Sequence, residues 1–153
     1  MKKALLFVLT AILLLGAFAC TGADAAIDGE ALYEKMAALG TFPEMMRRSG
    51  DAVLDYYGID PDACKQLVNY ASADGLLADE FLFAETNDET YAIEIEALLR
   101  EQIARQAETY REYMPEEYPK LSDARIERSG CRVLVIVSDD ASALYKVYTD
   151  ALR

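Results

Sequence analysis

The stretch ARIERSGCRVLVIV, residues 124–137, decides the fold. Ala124 to Arg128 reads as a strand. Ser129-Gly130 is a two-residue turn of the kind that joins antiparallel strands, where glycine supplies the positive φ the turn needs. Cys131 to Val137 is the second strand, and Val133-Leu134-Val135-Ile136-Val137 is apolar on both of its faces. Such a strand belongs in the middle of a sheet, covered on at least one side by helices.

Working outward, Asn87-Asp88 caps the longest helix, Glu89 to Met114. Tyr91, Ile95, Leu98, Leu99, Ile103, Ala107, Tyr110 and Met114 step by three and four residues, which makes one apolar stripe. Glu96–Arg100 and Glu101–Arg105 are favourable i,i+4 pairs, worth about 0.3 kcal/mol each. Pro115 and Pro119 stop the helix. Downstream of the hairpin, Ser138-Asp139-Asp140 starts a final helix with Leu144, Val147, Tyr148 and Ala151 inward. Upstream, Asp79 to Glu85 is a strand with Phe81 and Phe83 on one face and Leu82 and Ala84 on the other. Leu67 to Ala71 pairs with it through the turn Ser72-Ala73-Asp74-Gly75. The remaining elements are helical: Asp28 to Leu39, ended by Gly40; a turn at Glu44 to Arg48; and Asp51 to Tyr57, ended by Gly58, after which Asp60-Pro61 restarts the chain. The order predicts an α+β fold. An antiparallel sheet of about three to four strands carries the long helix and a C-terminal helix, preceded by short N-terminal helices.

The amino end reads differently. Met1-Lys2-Lys3, an apolar run from Ala4 to Leu15 broken by Thr10, and small residues at Gly16, Ala17 and Ala19 have the form of a secretory signal over residues 1–19. The run is short for a membrane-spanning helix, which needs about 20 apolar residues. In Ala17-Phe18-Ala19-Cys20 the small residue before the cysteine makes Cys20 the expected lipidation site. The same letters, and Ala23-Asp24-Ala25, also fit ordinary signal peptidase, which would give a secreted protein. Residues 20–27 then read as a tether and 28–153 as a single domain. The expected location is the outer face of the cytoplasmic membrane, held through an N-terminal lipid anchor.

Lys2 and Lys3 are the charged residues of 1–19, so the mature chain has 13 basic against 27 acidic residues, net −14. An acidic surface of that kind repels nucleic acid and anionic lipid. The envelope protein or small ligand that remains as partner is unspecified by composition. With Cys20 lipidated, Cys64 and Cys131 are left, either as a disulfide or as two separate buried thiols.

Catalytic signatures are missing. The chain has no histidine, which removes Ser-His-Asp and Cys-His catalysis and the commonest zinc ligand. No phosphate-cradling glycine loop and no EF-hand spacing occurs, and no cofactor or metal is expected. Carboxylates remain at two strand-to-helix turns, Glu85, Asp88 and Glu89 at one and Asp139-Asp140 at the other. Helix capping accounts for both. Tyr110, Tyr113 and Tyr118 gather around Pro115 and are the candidate lining of a ligand groove; the plainer reading is tyrosines at the rim of the core with their hydroxyls in water.

Tyr57-Gly58-Ile59-Asp60, Ala78-Asp79-Glu80 leading into an apolar strand, Tyr113-Met114-Pro115-Glu116-Glu117-Tyr118, and the strand after Gly130 that ends in Asp139-Asp140 occur in an order that resembles the domain-of-unknown-function 4358 family of small lipoproteins from Gram-positive anaerobes. The resemblance spans residues 28–152. It implies a lipid-anchored extracytoplasmic domain and assigns no activity and no functional residue. The sequence therefore favours a non-enzymatic cell-envelope binding or accessory module. The rival is a hydrolase of envelope polymers, which would bring two or more of Glu80, Glu85, Asp88, Asp139 and Asp140 together in a cleft. A purely structural accessory protein would have no useful pocket.

Overall fold

The computed structural model describes residues 26–153. The signal peptide over 1–19 and the lipidation site Cys20 lie outside the described residues. Along the chain come α1 (Gly29–Ala37), β1 (Met45–Arg47), α2 (Gly50–Tyr57), a 3-10 turn (Pro61–Ala63), β2 (Cys64–Ser72), β3 (Glu80–Thr86), α3 (Glu89–Tyr113), α4 (Tyr118–Ser122), β4 (Arg125–Ser129), β5 (Arg132–Val137) and α5 (Ala141–Ala151). The fold is α+β. Five strands form one antiparallel sheet in the order β1-β2-β3-β5-β4.

The sheet is the middle of three layers. β3 and β5 are its central strands, and successive side chains leave them on opposite faces. Leu82, Ala84, Val133, Val135 and Val137 pack against Ala92, Ile95, Leu99 and Ile103 of α3, with Val53 and Tyr57 of α2 and Leu121 of α4. Phe81, Phe83, Leu134 and Ile136 pack on the other side against Leu32 and Met36 of α1 and Leu144 and Tyr148 of α5. Helices thus cover both faces of β5, which explains its unbroken apolar run. At α1 the layers come so close that a Cβ on Gly29 would lie 2.6 Å from Phe83 Cδ1.

The helix starts follow the expected capping. Asp28 accepts from the Glu30 and Ala31 amides, Asp88 from Tyr91, and Asp60 from Asp62. Gly58 and Gly130 have positive φ, 76° and 56°, at the end of α2 and in the β4–β5 turn.

Some expectations are corrected. Glu44 to Arg48 is no helical turn. Its middle forms β1, the fifth strand, with Met46 opposite Ala71 and Arg47 opposite Tyr70. Three residues are too few to show a strand's period, and β1 exists because the free edge of β2 offers backbone partners. A short helix, α4, follows Pro115 and uses Pro119 in its first turn. The first helix ends at Ala37, short of the expected Leu39, which is 52% exposed. Ile27, the last residue of the expected tether, is buried in the core, and its carbonyl accepts from Gln66 Nε2 at 2.9 Å. Among the described residues no helix is long and apolar enough to cross a membrane.

Candidate functional site

Glu80 opens β3 on the α3 face, in line with Leu82 and Ala84. An apolar side chain is the rule in that row, yet Glu80 is a carboxylate only 2% exposed. Burying a charge is costly unless donors meet it. Here three donors converge on Oε1: Asn69 Nδ2 at 2.7 Å, Arg48 Nη1 at 3.4 Å, and the Tyr57 hydroxyl. Each comes from a different element. Asn69 lies on β2 facing α3, Tyr57 on the last turn of α2, and Arg48 directly after β1, where its amide bonds the Asn69 carbonyl at 2.9 Å. The Arg48 guanidinium also lies 4.8 Å over the Tyr56 ring. Burial pushes the Glu80 carboxyl up, opposed by Arg48 and by the hydrogen bonds from Tyr57 and Asn69. Burial and the neighbouring Glu80 charge push the Tyr57 hydroxyl up, so it keeps its proton and donates.

Glu80 forms part of the wall of a cleft of about 310 Å³ between the β2–β3 turn and α3. Arg48, Tyr56 and Asp79 share that wall; Gln102, Arg105, Gln106 and Tyr110 face it from α3. Ala71, directly opposite Glu80 in the strand register, is small enough to leave the space open. The wall acceptors without a donor among the described residues include Glu80 Oε2, since all three donors go to Oε1, Asp79 Oδ1, since Lys120 reaches Oδ2, and Gln106 Oε1, which is buried.

The adjacent acid is paired through one oxygen with a lysine. Asp79 Oδ2 accepts from Lys120 Nζ at 2.8 Å, and Lys120 also reaches Glu117 at 3.0 Å and Asp139 at 3.7 Å. Glu117 in turn accepts from the Ala78 amide at 2.8 Å. Burial raises the Asp79 carboxyl against the pull of Lys120. Burial would lower Lys120, but hydrogen bonds to Asp79 and Glu117 outweigh it and hold the ammonium at about 12. A lysine so held is a cation at neutral pH and no nucleophile.

The three tyrosines do not line one groove. Tyr110 is half-buried on the cleft wall. Tyr113 is 74% exposed and borders a separate shallow depression with Glu108 and Glu112. Tyr118 starts α4, half-buried, on neither wall. The reason is length. A helix of 25 residues runs about 37 Å, whereas the seven residues of β3 span about 23 Å, so the end of α3 overhangs the sheet.

The carboxylates do not converge either. Glu85 lies at the far end of β3 beside Lys65 and Arg132. Asp88 caps α3. Asp139 is exposed beside Lys120, and Asp140 is the first residue before α5. Cys64 and Cys131 are not paired. Cys64 has a free thiol that reaches the Asp60 carbonyl at 3.5 Å, and burial raises it to about 11. Thr86 of β3 stands between the two, opposite Cys64 on β2 and hydrogen-bonded through its amide to the Cys131 carbonyl. Two strand spacings come to about 9.5 Å, beyond the roughly 7 Å that a disulfide tolerates. Among the described residues no group of three or more His, Cys, Asp or Glu is placed to hold a metal ion.

Sequence reasoning missed Arg48, Tyr57 and Asn69 as partners of Glu80. Two letters carried the signal: Glu80 in the row of Leu82 and Ala84, and Asn69 between Leu67 and Ala71. Each breaks an apolar row on a neighbouring strand, and the register sets the breaks next to each other.

The fold and site define a three-layer α+β domain with a buried polar cluster at the mouth of a small cleft. A family model described as a domain of unknown function (DUF4358) matches residues 39–138, and the chain belongs to that family. The matched segment holds all five strands, α3 and the cleft residues; α1 and α5 fall outside it. No curated relative and no solved structure matches the chain.

Proposed function

We propose that this is an exported, lipid-anchored protein whose folded domain serves outside the membrane as a non-enzymatic binding module, with the cleft at Glu80 as its ligand site. The observation that carries the ligand site is Glu80 Oε2: a carboxylate oxygen on a cleft wall whose twin takes three donors while it takes none. Each carboxylate oxygen can accept hydrogen bonds, and a ligand donor would complete this one. Export and anchoring rest on residues 1–20 and on the resemblance to lipoproteins. The alternative, a hydrolase, needs a second carboxylate free to act in the same cleft. The other acid on that wall, Asp79, is engaged by Lys120.

Two measurements test the proposal. Intact-mass spectrometry of the protein from its native membrane should give a chain that starts at a diacylglyceryl-modified Cys20. A chain that starts at Met1 in the cytosol overturns the export reading. A thermal-shift screen of the purified protein against neutral and charged metabolites should find at least one compound that raises the Tm of the wild type and not of Glu80→Gln. A screen without such a compound overturns the ligand site.

A further inference from the structure

Resting on the reading of the cleft as a ligand site, we infer that its occupant is a neutral, hydroxyl-rich ring of monosaccharide size, which donates to Glu80 Oε2 and lies against the rings of Tyr56 and Tyr110.

The charge balance selects a neutral molecule. The charged groups of the wall already have partners inside the protein: Arg48 has Glu80, Asp79 has Lys120, and Arg105 has Glu101. An anion would present lone pairs to the carboxylates of Glu80 and Asp79. An ammonium group would compete with Arg48, whose Nη1 is 3.4 Å from Glu80 Oε1, and would meet a second cation in Arg105. What the wall lacks is donors without charge.

Hydroxyl groups suit it better than amides. A hydroxyl donates once and accepts twice. A sugar hydroxyl can therefore give its proton to Glu80 while it accepts from the guanidinium of Arg48. The Gln106 amide lies against the Tyr110 hydroxyl and positions that ring on α3. Tyr56, 40% exposed, is a second ring on the wall. Tyrosine presents a flat apolar face with a polar rim, which matches the C–H face and hydroxyl rim of a pyranose. The volume, about 310 Å³, lies at the lower end of the range for small-molecule sites, about 300–1,000 Å³, and suits one ring rather than a chain.

The test is calorimetric titration of the purified protein with glucose, galactose and N-acetylglucosamine, beside glycine, glutamate and lysine. At least one sugar should bind, and Gln106→Leu and Tyr56→Ala should each weaken it about tenfold or more. Both positions are outside the buried core, so both variants should keep the far-ultraviolet spectrum of the wild type. A sugar that binds the two variants as well as the wild type overturns the inference. If an amino acid binds and no sugar does, and Gln106→Leu weakens that binding, the inference falls while the ligand site stands. If no probe binds, the inference falls; and if the wider thermal-shift screen is also blank, the ligand site falls with it. A free sugar and the end unit of a polymer share this chemistry, and the N-acetylglucosamine trimer separates them. Tighter binding of the trimer marks a polymer end, and equal or weaker binding marks a free sugar; either supports the inference.

Discussion

β3 has two faces, and they are built on different terms. Phe81 and Phe83 point to the α1–α5 side, where their neighbours are apolar and the layers touch at Gly29. Glu80, Leu82 and Ala84 point to the α3 side, where the row is apolar for two residues and then ends in a buried carboxylate with Arg48, Tyr57 and Asn69 around it. Both faces are equally withdrawn from water. One is held chiefly by area and shape, with Gln66 bonding the start of α1. The other uses a polar cluster that contributes little net stability, because desolvation offsets most of the attraction between buried charges. Burial by itself therefore does not distinguish a core from a site.

The largest effect should come from the apolar face. Phe83→Ala is expected to lose about 4 kcal/mol through lost burial and the cavity left behind, with the same loss at pH 5 and pH 8 in urea unfolding. A loss below about 1 kcal/mol would mean that this face closes up and is no rigid core.

Glu80→Ala comes next, with an expected loss of about 3 kcal/mol, since it leaves the Arg48 guanidinium and two further donors facing a void. Its pH dependence separates it from Phe83→Ala. The Glu80 and Asp79 carboxyls are raised in the fold, so between the ordinary carboxylate range and their raised values the folded state holds protons that the unfolded chain has released. Stability therefore falls as pH rises through that window. Glu96, lowered by hydrogen bonding to Arg100, works in the opposite sense and at lower pH. Glu80→Gln keeps the shape and removes one titration, so its melting temperature should fall less steeply with pH than that of the wild type. An unchanged slope would show that Glu80 does not titrate in this window.

Gly29→Ala should cost about 2 kcal/mol by overpacking against Phe83, read as a drop in Tm. The same substitution at Gly75 on the cleft side meets nothing within 4 Å and should leave Tm within the error of the measurement. Equal effects at the two sites would erase the distinction between a tight face and an open one.

The smallest effect has the reverse sign. Gln106→Leu removes a half-buried amide whose Oε1 lacks a donor, so stability should stay level or rise by up to about 1 kcal/mol in urea unfolding. A clear loss would show that the amide belongs to the core and not to the cleft.

The fold was legible to the extent that its signals are local. The β4–β5 hairpin, the stripe of α3 and the alternation of Phe81-Leu82-Phe83-Ala84 each lie within a few turns or residues of chain, and the structure has each element, although the hairpin turn falls at Gly130-Cys131, one residue later than expected, with Ser129 paired to Arg132. β1 was missed because three residues carry no period. The tyrosine groove failed for a related reason: closeness in sequence around Pro115 says nothing about where the sheet beneath α3 ends.

From the sequence alone came the α+β class, the element order, the absence of histidine chemistry and the acidic balance, because composition and periodicity are properties of the chain before it folds. Tertiary structure alone decided that Glu80 meets Arg48, Tyr57 and Asn69, that Lys120 engages Asp79, and that Thr86 keeps Cys64 and Cys131 apart. Those contacts join residues that are distant in the chain. Strand order and register bring them together, and a single strand's pattern contains neither.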